Sequence, residues 1–386
     1  MKPHIYKKPE KKKTSKKKVA LIAGGAVMAV LLVFVVSAAI YINSKFSMLN
    51  RSVSYESVIS LSPEDEELTF GGLNLDDIDV MENGGNITPP EGEVNVNSSV
   101  TNILLIGSDE RSDEISSDAR ADSMMLLSIN SKDNTWKLAS FERGVGVSIP
   151  NHCDDWLTHT FAYGGPELLM KTLRDYYKLD ISKYVRINFT IFETGVTDIG
   201  GVEVELTEAE AEYMNGIAGQ KKWEAGPARL DGPTALVYAR IRHLDSDWNR
   251  VSRQRKVIQA AANQIATLSP AKIDAIANKL LPLLETNLTN AELWQLSFKM
   301  PALLSGQAAQ ITVPKEEDSW GIQLANGRVV IGCDFAAEAE RLNQFITGVL
   351  PPEAESSSSV AASSGASSGA SSRGLSSSSS YGGQAA

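Results

Sequence analysis

Apolar and polar positions follow three periods along this chain. From Val19 to Ile42 no charged residue occurs, and about 20 apolar residues are what a helix needs to cross a hydrocarbon core. Beyond it the apolar runs shorten. Ile103-Leu104-Leu105-Ile106-Gly107 and Met124-Met125-Leu126-Leu127-Ser128-Ile129 read as buried strands. Trp136 to Phe141 and Val202-Glu203-Val204-Glu205-Leu206 alternate like half-buried strands. Helical spacing governs Pro166–Tyr177, which opens on a proline suited to a first turn, and Arg250–Leu268, Pro270–Leu284 and Ala291–Leu304. A late strand over Arg328–Ile331 precedes a closing helix over Ala336–Ile346. Mixed strands and helices without an internal repeat predict one α/β (or α+β) domain.

The ends of the chain differ in composition from that body. Residues 1–18 hold nine lysines against one Glu, so the acidity of a chain with net charge −10 lies in the remainder. Lysines on the N-terminal side of the apolar run place residues 1–18 in the cytoplasm and everything after the span outside. A secretory signal cleaved after Ser37-Ala38-Ala39 is the alternative. Its apolar region would usually run about 7–15 residues, whereas this one is longer and continues past that site, which favours an uncleaved signal anchor over 19–42. Residues 43–98, with Pro63-Glu64-Asp65-Glu66-Glu67 and Thr88-Pro89-Pro90, read as an extracytoplasmic linker. The globular domain is expected over 99–350. Of the last 31 residues 15 are serine, so 351–386 is a Ser/Ala/Gly-rich disordered tail that buries no core. An acidic body lacks the basic face that nucleic acid requires. Cys153 and Cys333, outside the membrane, are open to pairing or to standing as free thiols, and neither belongs to a zinc-type cluster.

Three stretches concentrate charge where structure ends. Gly107-Ser108-Asp109-Glu110-Arg111 follows one buried strand, and Ala119-Arg120-Ala121-Asp122-Ser123 precedes the next. Asp109 and Asp122 thus sit at the ends of adjacent strands, where oxygen ligands suit a Mg²⁺ ion that keeps waters and shares substrate phosphates. Carboxylates that merely cap turns are the plainer reading. The third stretch, Tyr238 to Arg255, holds Arg240, Arg242, Arg250, Arg253 and Arg255 and no lysine. Arg240 and Arg242 point the same way if extended, and Arg250 and Gln254 lie one helical turn apart. Guanidinium forks grip phosphate bidentately, which favours a phosphate or pyrophosphate clamp over a solvated face balanced by Asp245 and Asp247. Arg143 adds a further guanidinium at a strand end. Acidic metal ligands beside several arginines make a phosphoryl-transfer site. No Walker loop, kinase loop or nucleophile elbow occurs, and His4, His152, His159 and His243 are too scattered for a triad.

These segments, taken in order, resemble the LytR-CpsA-Psr family. The resemblance rests on Asn102 to Asp109, Arg120 to Met125, Phe161-Ala162-Tyr163-Gly164-Gly165-Pro166-Glu167-Leu168-Leu169, Gly200-Gly201-Val202-Glu203-Val204 and Leu230-Asp231-Gly232-Pro233-Thr234-Ala235-Leu236-Val237-Tyr238-Ala239-Arg240-Ile241-Arg242. Asp247, Arg250, Arg253 and Gln254 follow at the family's spacing. It implies a membrane-anchored extracytoplasmic domain, a mixed central sheet flanked by helices, in a Gram-positive-type envelope. The implied activity is a phosphotransferase that moves a glycan phosphate from a polyprenyl-pyrophosphate carrier to peptidoglycan and releases polyprenyl phosphate. The attached polymer would be teichoic acid, capsule or another secondary wall polymer. By the same resemblance Asp109 and Asp122 match metal positions for Mg²⁺, or Mn²⁺ in its place. Arg120 shares their motif, and Arg143, Arg240, Arg242, Arg250 and Gln254 match pyrophosphate contacts, with Asp247 orienting the arginines. The implied partners are the lipid-linked glycan, peptidoglycan and membrane lipid, with no nucleic acid.

Two departures from the family stand out. Glu142-Arg143-Gly144 replaces Pro-Arg-Asp, and Trp156 stands where a Lys is common. Gly144 keeps open a polyprenyl-phosphate-binding sensor or scaffold without chemistry; a third reading, a membrane-bound transcriptional attenuator, is a label some members of the resembled family have carried, and the short cytoplasmic tail leaves little to touch DNA. Ile187-Asn188-Phe189 and Val257-Ile258 are expected in ordinary core or along a lipid tunnel.

Overall fold

The computed structural model describes residues 37–51, 87–110, 119–132, 135–242, 244–305 and 308–348. The basic tail, residues 19–36 of the apolar run, residues 52–86 of the linker, His243 and the serine-rich tail lie outside the described residues. Residues 37–46 are helical (α1), and among the described residues no helix is long and apolar enough to cross a membrane.

A mixed six-stranded sheet organises the domain. Its strands are β1 (Val100–Ser108), β2 (Ala121–Asn130), β3 (Thr135–Phe141), β6 (Tyr184–Asn188), β9 (Glu285–Thr286) and β10 (Ala309–Val313), in the order β10-β3-β2-β1-β6-β9. The three expected strands at its centre are antiparallel neighbours, while β6 joins β1 and β10 joins β3 in parallel. Continuous apolar runs form β1 and β2 because helices cover both faces of the sheet. Over one face lie α2 (His159–Tyr177) and α9 (Phe335–Thr347), enclosing Leu104, Leu126, Phe141, Leu173, Tyr177 and Phe345. A second core, with Val202, Met214, Leu230, Tyr238 and Val257, gathers α3 (Phe189–Asp198), α4 (Glu208–Ala218), α5 (Gly232–Ala239) and α6 (Asp247–Ala266) around the hairpin of β7 (Val202–Leu206) and β8 (Gly226–Leu230). Further hairpins pair β4 (Gly146–Ser148) with β5 (Asp154–Trp156) and β11 (Ser319–Gln323) with β12 (Val329–Cys333). The last helices are α7 (Pro270–Leu280) and α8 (Asn290–Ser305).

Local chemistry explains several of the quoted motifs. Within α2, Gly164 and Gly165 leave helical geometry, Gly165 at φ 62°, a region only glycine enters freely. Pro166 then starts the helix afresh, so the expected start at Pro166 marks the second segment and 159–163 is an extra turn before the break. At Gly232 an added Cβ would lie 1.9 Å from the Glu193 carbonyl oxygen, so only glycine lets α5 approach α3 this closely. Asp231 caps α5 by accepting from the Thr234 amide at 3.0 Å, ahead of Pro233. Val257 packs in the second core and Phe189 is buried.

Parts of the expected linker are built into the domain. Asn50 bridges to Glu285, Ile87 is buried against Trp156, Ile322 and Val330, and Asn95 bridges to Leu179. Both cysteines are free thiols, Cys153 exposed and Cys333 buried.

Candidate functional site

β1 and β2 run antiparallel, Gly107 opposite Ser123 and Ser108 opposite Ala121. One strand's end and the other's start therefore bring Asp109 and Asp122 to the same edge of the sheet. The Arg120 amide donates to Asp109 Oδ1 at 2.8 Å, and the Asp109 amide returns a bond to the Arg120 carbonyl at 3.2 Å. Burial, helped by the charge of Asp122 and opposed by the Arg120 bond, pushes the Asp109 carboxyl up to about 6.

Asp122 is buried and ringed by guanidiniums. Arg242 Nη2 lies 3.4 and 3.3 Å from its two oxygens and Arg143 Nη1 3.6 Å from Oδ1. Arg250 Nη1 donates to the Asp122 backbone carbonyl at 3.2 Å. Burial alone would raise the Asp122 carboxyl, but Arg143, Arg242, Arg250 and Arg240 outweigh it and hold it below the usual carboxylate range.

α6 supplies the layer beneath. Ser246 caps it, and its first turn carries Asp247 inward. Arg143 Nε lies 3.4 Å from Asp247 Oδ2, and Arg250 Nε 3.0 Å from Oδ1, so one carboxylate aligns two guanidiniums that are each 1% exposed. Arg240 does not lie in an extended segment, the condition on which it would point the same way as Arg242. It is the C-cap of α5, with its guanidinium 4.5 Å from the Phe189 ring centre. Gln254, one turn beyond Arg250, directs Nε2 toward the Ala239 carbonyl at 3.5 Å, and its buried Oε1 has no hydrogen-bond partner.

The arginine run is therefore no solvated face, and it divides in two. Arg240, Arg242 and Arg250 join Arg143 around Asp122. Arg253 instead binds Glu210, Asp245 and the Ile241 carbonyl, and Arg255 binds Gln310 and Thr312, so both brace the fold. Arg120, between the two strand ends, is half-buried. Burial, and then the charge of Arg143, pulls the Arg242 pKa below its ordinary value, and four guanidiniums against the carboxylates of Asp122 and Asp247 leave an excess of positive charge. Such a site calls for an anion.

Three features escaped the sequence reading. Glu142 is fully buried, neither carboxyl oxygen has a hydrogen-bond partner, and burial together with the Asp247 charge pushes it up to about 8. Arg186, in the middle of β6, binds Glu110, Glu285 and Ser108 and lies over Phe161. An arginine inside the apolar Val185-Arg186-Ile187 was the available signal. Beside Trp156 the departure from lysine coincides with another cation: Arg328 stacks 4.6 Å from the indole centre, its Nη1 2.7 Å from Asp155 Oδ1 and 2.8 Å from His159 Nδ1.

Among the described residues no group of three or more His, Cys, Asp or Glu side chains is placed to hold a metal ion. Two carboxylates fit Mg²⁺ nonetheless, since it takes one or two from protein and the rest from water and phosphate. The mutual repulsion of Asp109 and Asp122 is what a cation between them would relieve.

A family model described as the LytR_cpsA_psr family matches residues 79–345. The chain is 36% identical over 176 residues to the polyisoprenyl-teichoic acid–peptidoglycan teichoic acid transferase TagU of Oceanobacillus iheyensis, covering 44% of this chain and 52% of that one. To the transferase TagT of Bacillus subtilis it is 33% identical over 216 residues, covering 54% and 67%. The match thus spans about half the length of the first and two thirds of the second. A solved structure described as TagT bound to LIIa-WTA superposes with a TM-score of 0.54 at 25% identity, covering 70% of this chain and 98% of that one.

Proposed function

The chain belongs to the LytR-CpsA-Psr family, and we propose that it is an extracytoplasmic phosphotransferase joining a secondary wall polymer to peptidoglycan. Its donor is a polyprenyl-pyrophosphate-linked glycan. An acceptor hydroxyl of peptidoglycan attacks the glycan-bearing phosphorus, a new P–O bond forms as the hydroxyl proton passes to water or to the departing phosphate, the bridging P–O bond of the pyrophosphate breaks, and polyprenyl phosphate leaves. The observation that carries this reading is the cluster of Arg143, Arg240, Arg242 and Arg250 around Asp122. Relatives named teichoic acid transferases support the choice of polymer and acceptor.

Each residue has a role in that reaction. Arg242, with a side chain 23% exposed, and Arg240 receive the pyrophosphate. Arg143 and Arg250, fixed by Asp247, hold charge in place where the departing phosphate gains it, so little reorganisation remains for the reacting complex. Gln254 offers a buried amide on the same helical face, and Arg120 keeps Asp109 in position through its backbone. Asp109 and Asp122 would hold Mg²⁺ or Mn²⁺, which when bound polarises the phosphoryl oxygens. The domain faces outward behind a signal anchor over 19–42, on the side where wall acceptor and carrier meet.

The test is the full chain in detergent or nanodiscs, given Mg²⁺, a polyprenyl-pyrophosphate glycan and peptidoglycan oligomers, with mass spectrometry for a phosphodiester-linked product. A product lost with EDTA and with Asp122→Ala supports the transferase. Lipid bound without product in the wild type overturns it in favour of a carrier-binding scaffold.

A further inference from the structure

Exposed apolar side chains are unevenly placed. Among the described residues Ile40, Tyr41, Ile273, Leu283 and Phe298 belong to α1, α7 with the turn after it, and α8, while Val96, Ile217 and Trp320 stand elsewhere. These helices are tied together. The Tyr41 hydroxyl donates to Asp274, and one turn on Lys45 binds Asn278 and pairs with Asp274 at 2.8 Å, so α1 and α7 run parallel, turn beside turn. On the other side Asn290 Nδ2 donates to Asn43 Oδ1 at 2.9 Å, and Phe46 meets Trp294 edge-on at 5.8 Å. Arg51 Nη2 donates to Asn290 Oδ1 at 2.6 Å and Asn50 bridges to Glu285.

That rigidity has a consequence at the membrane. Tyr41 and Ile42 end the apolar run that began at Val19. A tyrosine there belongs at the bilayer interface, and a lysine one turn beyond reaches toward the headgroups. Since Tyr41 is bound to Asp274, the interface level passes through the first turn of α7. Ile273, beside Asp274, is 41% exposed there, level with Ile40 at 67%, and Lys272 on the same turn is exposed.

We infer that α1 is a strut seating the α6–α7 corner, residues 266–273, on the outer surface of the bilayer, with Ile40 and Ile273 entering the headgroup boundary and Lys272 meeting anionic phospholipid. Two isoleucines bind a membrane weakly by themselves, but the anchor holds them at high effective concentration, so the contact sets orientation. The 16 residue-to-residue steps of α6 from Arg250 to Ala266 then put the guanidinium cluster no more than about 24 Å along the helix from that corner. The inference rests on the membrane-span reading and not on the transfer reaction, so either can fail without the other.

Spin labels on the full chain test it. In a Cys153→Ser background, Ile40→Cys, Ile273→Cys and Ile217→Cys are labelled singly and reconstituted one copy per nanodisc of phosphatidylglycerol and phosphatidylcholine. Power saturation with oxygen and a water-soluble nickel complex reads depth. Labels at 40 and 273 are expected to give an oxygen-to-nickel ratio several-fold above that at 217, and Asp274→Ala combined with Asn278→Ala, Asn290→Ala and Trp294→Ala, which removes the side-chain contacts tying α1 to α7 and α8, is expected to return 273 alone to the value of 217. A label at 273 as water-accessible as 217 overturns the inference, as does one that stays deep when those contacts are removed. Dipolar broadening at 273 in discs holding two copies, with no depth in discs holding one, assigns the face to a second copy and overturns it equally.

Discussion

Asp122 and Arg242 meet across 120 residues of chain, Arg242 Nη2 lying 3.4 and 3.3 Å from the two carboxylate oxygens. Those distances are long for hydrogen bonds, and the arginine side chain is 23% exposed. The guanidinium is thus held near Asp122 without being locked to it and can turn toward a phosphate. Arg242→Ala is expected to lower transfer about 100-fold with little change in melting temperature. Arg242→Lys should recover only part of the rate, because an ammonium lacks the planar fork. Turnover of a polyprenyl-pyrophosphate glycan, set beside a thermal melt, checks both; a melting temperature that falls along with the rate would make Arg242 a structural residue.

Asp247 behaves differently, since Arg143 and Arg250 share it in the interior. Removing one member of a buried charge group leaves the others uncompensated, at a cost of about 3–5 kcal/mol. Asp247→Ala is expected to destabilise the fold by that amount in denaturant unfolding, more than Asp247→Asn, which keeps an acceptor for one guanidinium. Equal losses would mean that shape, and not acceptance by the oxygens, is what Asp247 provides.

Much of this was legible in the sequence because local pattern and local chemistry agreed. The runs that became β1 and β2 are apolar where both sheet faces are covered, β3 alternates from its half-exposed start, and Asp109 and Asp122 could be placed at one edge because an antiparallel neighbour returns there. What escaped depends on contacts between distant segments. The two-residue β9 carries no periodicity, and β10 and β11 are short. The division of the arginine run is set by which partner each side chain meets: Arg253 is captured by Glu210 of α4 and Arg255 by β10, and spacing within 240–255 holds no record of either. Residues 43–51 read as spacer because their contacts, Asn290, Trp294 and Glu285, lie more than 200 positions away.

Asp109→Asn separates metal binding from folding. The Asp109 side chain's bond from the Arg120 amide goes to Oδ1, which an asparagine oxygen can accept equally well. The variant is expected to fold with an unchanged melting temperature in EDTA. Wild-type protein should gain stability on adding Mg²⁺, as any ligand that binds only the native state confers, and the variant should not. A variant that gains as much as wild type would remove Asp109 from the proposed metal site.

Glu142 gives the chain a pH dependence of its own. Burial, then the charge of Asp247, raises its carboxyl to about 8, against the pull of Arg250, Arg143 and Arg255. In the unfolded chain the glutamate ionises near 4.5; between that pH and about 8 the native state binds a proton that the unfolded state does not. Stability from this source is therefore highest below the unfolded value, falls as pH rises toward 8 and levels off above it. Glu142→Gln fixes the neutral form. Its amide also lacks partners, so it carries a constant penalty, and the informative quantity is slope: between pH 5.5 and 8.5 the melting temperature of wild type should fall more steeply than that of the variant. Above pH 8 an ionised Glu142 draws on Arg143 and Arg250 and competes with pyrophosphate for them, so lipid affinity should decline with alkalinity in wild type and hold in the variant. Parallel slopes in both measurements would mean that the surrounding arginines keep Glu142 ionised throughout, restoring beside Arg143 the negative charge that Gly144 lacks.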